Sequence, residues 1–168
     1  YVCPMLIPSN HPLATVNDSY NAVFVNGDAV ENAMFYGRGA GELPTASAVV
    51  RDVFEIARNI KADCCGRIGC TCYKEIPVKK MADTHNRYFM RLIVEDRCGV
   101  LAEMTAVFAK YGVSVAQIIQ KAARAEESAE VVVITAQVRE GDFRTAMEEL
   151  SGRSSVRKIS SMLRVYGE

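Results

Sequence analysis

The chain of 168 residues lacks an excess of either charge: 20 basic side chains face 20 acidic ones. No run of like charge marks a surface for nucleic acid or an anionic membrane, so neither is expected as a partner. No apolar run approaches the roughly 20 residues that span a bilayer. The opening Tyr1-Val2-Cys3-Pro4 lacks the basic start and apolar core of a signal peptide, which leads to the expectation of a cytoplasmic protein. The Gly-x-Gly-x-x-Gly fingerprint of a dinucleotide-binding strand-turn-helix is missing as well. The six cysteines do not form Cys-x-x-Cys knuckles. Four crowd into Cys64, Cys65, Cys70 and Cys72, at spacings that fit a tetrahedral zinc site poorly even with His85 as an added ligand. A reducing compartment also disfavours disulfides there. No metal is expected, and the segment reads as a linker tolerant of small residues.

What is present concentrates at residues 37–52, Gly-Arg-Gly-Ala-Gly-Glu-Leu-Pro-Thr-Ala-Ser-Ala-Val-Val-Arg-Asp. Alternating glycines let the main chain take positive φ and lie close to a flat or charged group. Pro44 then suits the start of a helix, whose free N–H groups favour an anion. Taken alone, such a turn is more often structural than a ligand cradle. Arg38 is equally suited to a phosphate or to solvent. The helix is predicted over 45–60.

Residues 63–87 show no sustained period and carry Gly66, Gly69 and Pro77, which places a linker there, with a short strand pattern at 72–76. Beyond Arg87 the periodicity is regular. Residues 88–94 alternate as a strand with Met90, Leu92 and Val94 on one face. Residues 100–111 are helical, with Leu101, Met104, Phe108 and Tyr111 on one stripe and Gly112 at the left-handed C-terminal position. Strands are predicted over 113–121, 130–138 and 156–166, with a charged turn over 122–129. A second helix spans 142–150, presenting Phe143, Ala146, Met147 and Leu150 inward, with Asp142 as its cap. The order βαββαβ gives a ferredoxin-like antiparallel sheet with two helices on one face and the other face uncovered.

Two resemblances attach to these patterns. The glycine turn, with His11-Pro12-Leu13-Ala14 and Val16-Asn17-Asp18-Ser19-Tyr20-Asn21-Ala22 upstream, resembles the end of the catalytic region of homoserine dehydrogenase. That resemblance implies a nicotinamide cofactor, NAD or NADP, in the full-length enzyme, with Gly39 as the foremost contact and Gly37, Ala40 and Gly41 beside it. The family's catalytic lysine and acidic residues would lie upstream of Tyr1, so no catalytic role falls on Lys61, Lys79 or Lys80. The chain alone is expected to be inactive and to bind no cofactor. Residues 88–168, with the turn Asp96-Arg97-Cys98-Gly99-Val100-Leu101-Ala102, resemble an ACT domain, the regulatory module that binds amino acids in biosynthetic enzymes; the family usually has proline where Cys98 stands.

The second resemblance implies an effector site at Asp96, Cys98, Gly99, Val100 and Leu101, with Gln117, Ile118 and Ile119 of a partner module as the opposite wall. Threonine is the foremost effector and Asp96 the group to meet its ammonium. Asp96 serves equally well as a turn cap, and Gln117 as a solvent-facing residue.

The fold expected is therefore α+β: a short α/β segment of a catalytic domain over 1–62, a cysteine-rich linker over 63–87 and an ACT domain over 88–168. Homo-oligomers are expected through sheet pairing and through the exposed first segment. The alternative is a stand-alone amino-acid-binding or dimerising module, which would have no need of the glycine turn.

Overall fold

The computed structural model describes residues 1–64, 72–122 and 128–167. The chain divides into two compact units, one of Ser9–Pro77 and one of Tyr1–Pro8 with Val78–Glu168. Cys65 and Cys70 lie outside the described residues, as does most of the turn predicted over 122–129. No described helix is long and apolar enough to cross a membrane.

The larger unit is built on β4 (His85–Glu95), α2 (Val100–Lys110), β5 (Val115–Ala122), β6 (Ser128–Thr135), α3 (Glu140–Ser151) and β8 (Val156–Val165). Its sheet runs β8-β4-β6-β5, antiparallel throughout, the ferredoxin-like order of an α+β fold. A two-residue strand β1 (Met5–Leu6) adds to the outside of β8 in parallel, and β7 (Val138–Arg139) pairs with the start of β4. Period-2 alternation explains the strands. Met90, Leu92 and Val94 of β4 and Val131 and Val133 of β6 are buried, whereas Arg91, Ile118, Ile119 and Met162 remain exposed on the sheet. The helices close the buried face with Val100, Met104, Val107 and Phe108 from α2 and Phe143, Ala146, Met147 and Leu150 from α3. Of the α2 stripe read from sequence, Leu101 and Tyr111 pack only partly against this core. Gly112 takes the left-handed conformation after α2, at φ 68°.

Three local expectations change. The strand predicted over 130–138 stops at Thr135, and Val138–Arg139 pairs instead with His85 and Asn86. That pairing and the bond from the Glu140 amide to the Thr84 carbonyl (2.8 Å) start α3 two residues earlier than read. Asp142 therefore sits inside the first turn, paired to Arg139 Nη1 at 3.2 Å, and is not the cap. Residues 72–76 contain no strand.

One polar node is buried within this unit. Glu140, 3% exposed, accepts from Tyr88 Oη and from Arg164 Nη2 (2.8 Å) through Oε2, and from Arg144 Nε (2.7 Å) through Oε1. The Tyr88 ring stacks on Phe143 at 3.5 Å between centroids. Burial pushes the Glu140 carboxyl up, but the bonds from Tyr88, Arg164 and Arg144 outweigh it and hold the group below the usual carboxylate range. Burial first, then the bond to Glu140, pushes the Tyr88 phenol up to about 12. At the surface, Lys110, Arg153 and Tyr111 together draw Glu149 down to about 2.

Both carboxylates titrate lower in the folded than in the unfolded state. Their contribution to stability is present above the ordinary carboxylate pKa and is lost as pH falls toward 2. The urea midpoint of this unit, followed by circular dichroism, is expected to hold from pH 7 to 5 and to fall steadily between pH 4.5 and 2. A midpoint unchanged at pH 2.5 would contradict the assignment.

The smaller unit contains the hairpin β2 (Tyr20–Gly27) and β3 (Glu31–Arg38) followed by the helix α1 (Glu42–Lys61). Pro44 occupies the first turn of α1, where its missing N–H costs nothing. No residue of α1 is buried, and Leu43, Val50, Val53 and Ile60 are all more than half exposed. No described residue of this unit is buried.

Candidate functional site

The glycine turn follows directly from β3. Tyr20 pairs with Arg38 and Asn21 with Gly37 at the open end of the hairpin, bringing Ser19 beside Gly39, whose amide donates to the Ser19 carbonyl at 3.2 Å. Arg38 is engaged locally, with Nη1 donating to Ser19 Oγ (3.1 Å) and its guanidinium 4.9 Å from the Tyr20 ring centroid. A Cβ at Gly39 would fall 1.5 Å from Asn21 Nδ2, so the close approach permitted there is taken by the Asn21 amide. At Gly37 a Cβ would meet nothing within 4 Å. Gly41, at φ 123°, precedes α1 without a side-chain cap. Ala40 and Gly41 are exposed backbone just before a 20-residue helix, whose first amides suit a phosphate or an amide, and Gly37 is exposed at the end of β3.

The second candidate lies where β4 meets α2. Gly99, at φ 90°, is the residue before α2, and no side chain caps the helix. The first amides of a helix have no intrahelical partner, so this end favours an anion. A cavity of about 200 Å³ opens there, lined by Val94, Glu95, Arg97, Cys98, Gly99, Val100, Leu101 and Gln120. Of the predicted residues, Cys98, Gly99, Val100 and Leu101 come together in this wall. Asp96 is exposed and outside it, and Glu95 supplies the wall's carboxylate. Gln117, Ile118 and Ile119 lie on β5, exposed and outside the cavity.

Sequence reasoning missed Arg97 and Gln120. Arg97 donates to Glu95 Oε2 and Glu103 Oε1, both at 2.9 Å. Those bonds, Glu95 first, raise its pKa further, so it is a permanent cation. The alternating signs of Glu95, Arg97 and Glu103 around Gly99 were the available signal. Among the described residues, no cluster of three or more histidine, cysteine or acidic side chains is positioned to hold a metal.

A left-handed Gly99 makes a sharp mutational test possible. Gly99→Val is expected to cost about 1 to 3 kcal/mol from backbone strain, because an added Cβ meets nothing within 4 Å. Gly112→Val, at φ 68° and remote from the cavity wall, is the matching control for strain without the site. Thermal unfolding of both variants measures the strain directly.

Comparison with known proteins matches two regions of this chain. The homoserine dehydrogenase family model matches residues 1–54 and the ACT domain model residues 88–153. Over 164 residues the chain is 40% identical to homoserine dehydrogenase of Corynebacterium glutamicum, an alignment that covers 98% of this chain and 36% of that protein. The chain belongs to the homoserine dehydrogenase family. It corresponds to a C-terminal part of such enzymes. The Synechocystis homoserine dehydrogenase is 41% identical over 169 residues, covering 98% of this chain and 39% of that one. The crystal structure of a homoserine dehydrogenase from Thiobacillus denitrificans superposes with a TM-score of 0.81 at 30% identity, over 95% of this chain and 37% of that one. The chain thus spans less than two fifths of the length of these homoserine dehydrogenases. ACT domains are commonly amino-acid-binding and dimerising regulatory modules.

Proposed function

We propose that this chain is the regulatory C-terminal part of an oxidoreductase that interconverts L-homoserine and L-aspartate 4-semialdehyde with NAD or NADP. Its ACT unit would sense an end product of that path, threonine foremost. The observation that carries this reading is the presence, in one chain, of a dehydrogenase-type glycine turn and an ACT module. Gly39, Gly37, Ala40 and Gly41 are the residues proposed to meet the cofactor, which when bound supplies hydride chemistry. Their part is to offer exposed backbone between the end of β3 and the start of α1. No proton-transferring group is assigned in this chain, and the isolated chain should not oxidise homoserine.

At the other site, a free amino acid would place its carboxylate at the start of α2 and beside Arg97. Its ammonium would meet Glu95 or Asp96. Gln117, Ile118 and Ile119 of a second copy would complete the wall. Feedback then requires different affinity for the effector in two states of the enzyme.

A thermal-shift panel of threonine, methionine, isoleucine, lysine, serine and homoserine tests this. At about 100 times its dissociation constant, a ligand stabilises the folded state by about 2.7 kcal/mol. A selective shift with threonine that Gly99→Val abolishes and Gly112→Val retains is the expected result. No shift with any amino acid would sink the sensing role and leave assembly as the module's task.

A further inference from the structure

On the helix-covered face of the larger unit's sheet, register and burial part company at one position. Met162 of β8 stands opposite Met90 of β4, and Arg164 opposite Tyr88, so these four side chains leave the sheet on the same face. Met90 and Tyr88 are buried, yet Met162 is 48% exposed. The helices therefore leave part of β8 uncovered. A cavity of about 200 Å³ opens at that gap, lined by Met162 and Arg164 from β8, Phe143 and Arg144 from α3, and Cys3 and Pro4. All of these residues belong to the one unit, and none of them lines the cavity at Gly99. We propose that this second cavity is a binding site for a small monocarboxylate with a short apolar chain.

Charge decides the class of ligand. Among the described residues that line the cavity, two guanidiniums, Arg144 and Arg164, meet a single carboxylate, Glu140, which leaves one positive charge in excess. The carboxylate is also the hidden partner. The side chain of Glu140 is 4% exposed and that of Arg144 is 60% exposed, so the surface a ligand meets is the cationic one. Arg144 donates to Glu140 from Nε, and the remaining nitrogens of its planar fork suit the two oxygens of a second carboxylate.

Size and lining set the rest of the molecule. The cavity falls below the roughly 300 Å³ at which pockets for drug-sized ligands begin, so its ligand is small. Met162, Phe143 and Pro4 offer it apolar contact, and covering Met162 removes apolar surface from water. An amino acid is the wrong ligand here, because its ammonium would face the same two arginines with no exposed carboxylate to receive it. The cavity at Gly99, where Glu95 lines the wall, differs in that respect.

Nuclear magnetic resonance on the whole chain, labelled at the methionine methyl groups, tests this with butyrate as the probe. The Met162 signal, assigned with Met162→Leu, is expected to move saturably on adding butyrate, while that of Met104, fully buried under α2, stays in place. Butylammonium and butan-1-ol, of the same length without the carboxylate, should bind at least about tenfold more weakly, and Arg144→Gln should weaken butyrate by about the same factor. Arg144→Lys, which keeps the charge, should lose less. A Met162 signal that butyrate leaves unmoved, or that butan-1-ol moves equally, would overturn the proposal. So would an Arg144→Gln chain that melts with the parent and binds butyrate unchanged. If that variant does not fold, the three probes on the parent chain decide.

Discussion

Glu140→Ala is expected to destabilise the larger unit by about 3 to 5 kcal/mol, because it removes one member of a buried ion pair and strands the other. Arg164, with 14% of its side chain exposed, keeps its charge without a carboxylate, and the buried Tyr88 hydroxyl loses its acceptor. For a unit of this size, each kcal/mol moves the thermal midpoint by roughly 4 to 8 °C, so a drop of more than about 12 °C is expected. Replacing both partners, as in Glu140→Leu with Arg164→Met, should recover most of the loss, since apolar groups of similar volume need no desolvation of charge. A single variant that melts within 3 °C of the parent would show that water reaches the pair.

Phe108→Ala is expected to cost about as much, roughly 3 to 5 kcal/mol, for an unrelated reason. Phe108 is 1% exposed and lies among Met90, Leu92 and Met104 in the same core cluster. Truncation leaves a void that close-packed neighbours fill only in part. Urea denaturation should show a lower midpoint with an unchanged slope, since the surface exposed on unfolding hardly alters. Phe54→Ala in α1 is the control: at 61% exposure it should change stability by no more than about 0.5 kcal/mol. A comparable loss from both substitutions would mean that α1 is covered in solution.

The contrast between these two phenylalanines also explains what was legible in the sequence. Residues 88–94 alternate because one face of β4 packs on two helices, and the α2 and α3 stripes repeat every three or four residues for the same reason. The ferredoxin-like order followed from local pattern alone. The hairpin of β2 and β3 was not legible: Tyr20, Ala22 and Phe24 are half-buried on one face of β2, but exposed Val23 and Val25 make its sequence apolar on both faces, and exposed Phe35 and Tyr36 do the same in β3.

Strand β1 was beyond reach because its partner lies some 160 residues away and two residues carry no period. The start of α3 was misplaced because a distant pairing, Val138–Arg139 on His85 and Asn86, outweighed the local preference of Asp142 for a cap. At the candidate effector site, Gly99 stood out by its type. Arg97 and Gln120 did not, since their roles depend on which way a loop and a distant strand face.

The bareness of α1 and its hairpin has a calorimetric consequence. Every buried apolar residue of the described chain lies between Tyr88 and Val156, so the cooperative heat of unfolding should come from that part alone. At about 0.7 kcal/mol per residue near 60 °C, a uniformly packed chain of this length would absorb about 120 kcal/mol, whereas this one should absorb roughly 50. In a scanning calorimeter it should pass for a protein of less than half its length, and whatever covers α1 should restore the missing heat.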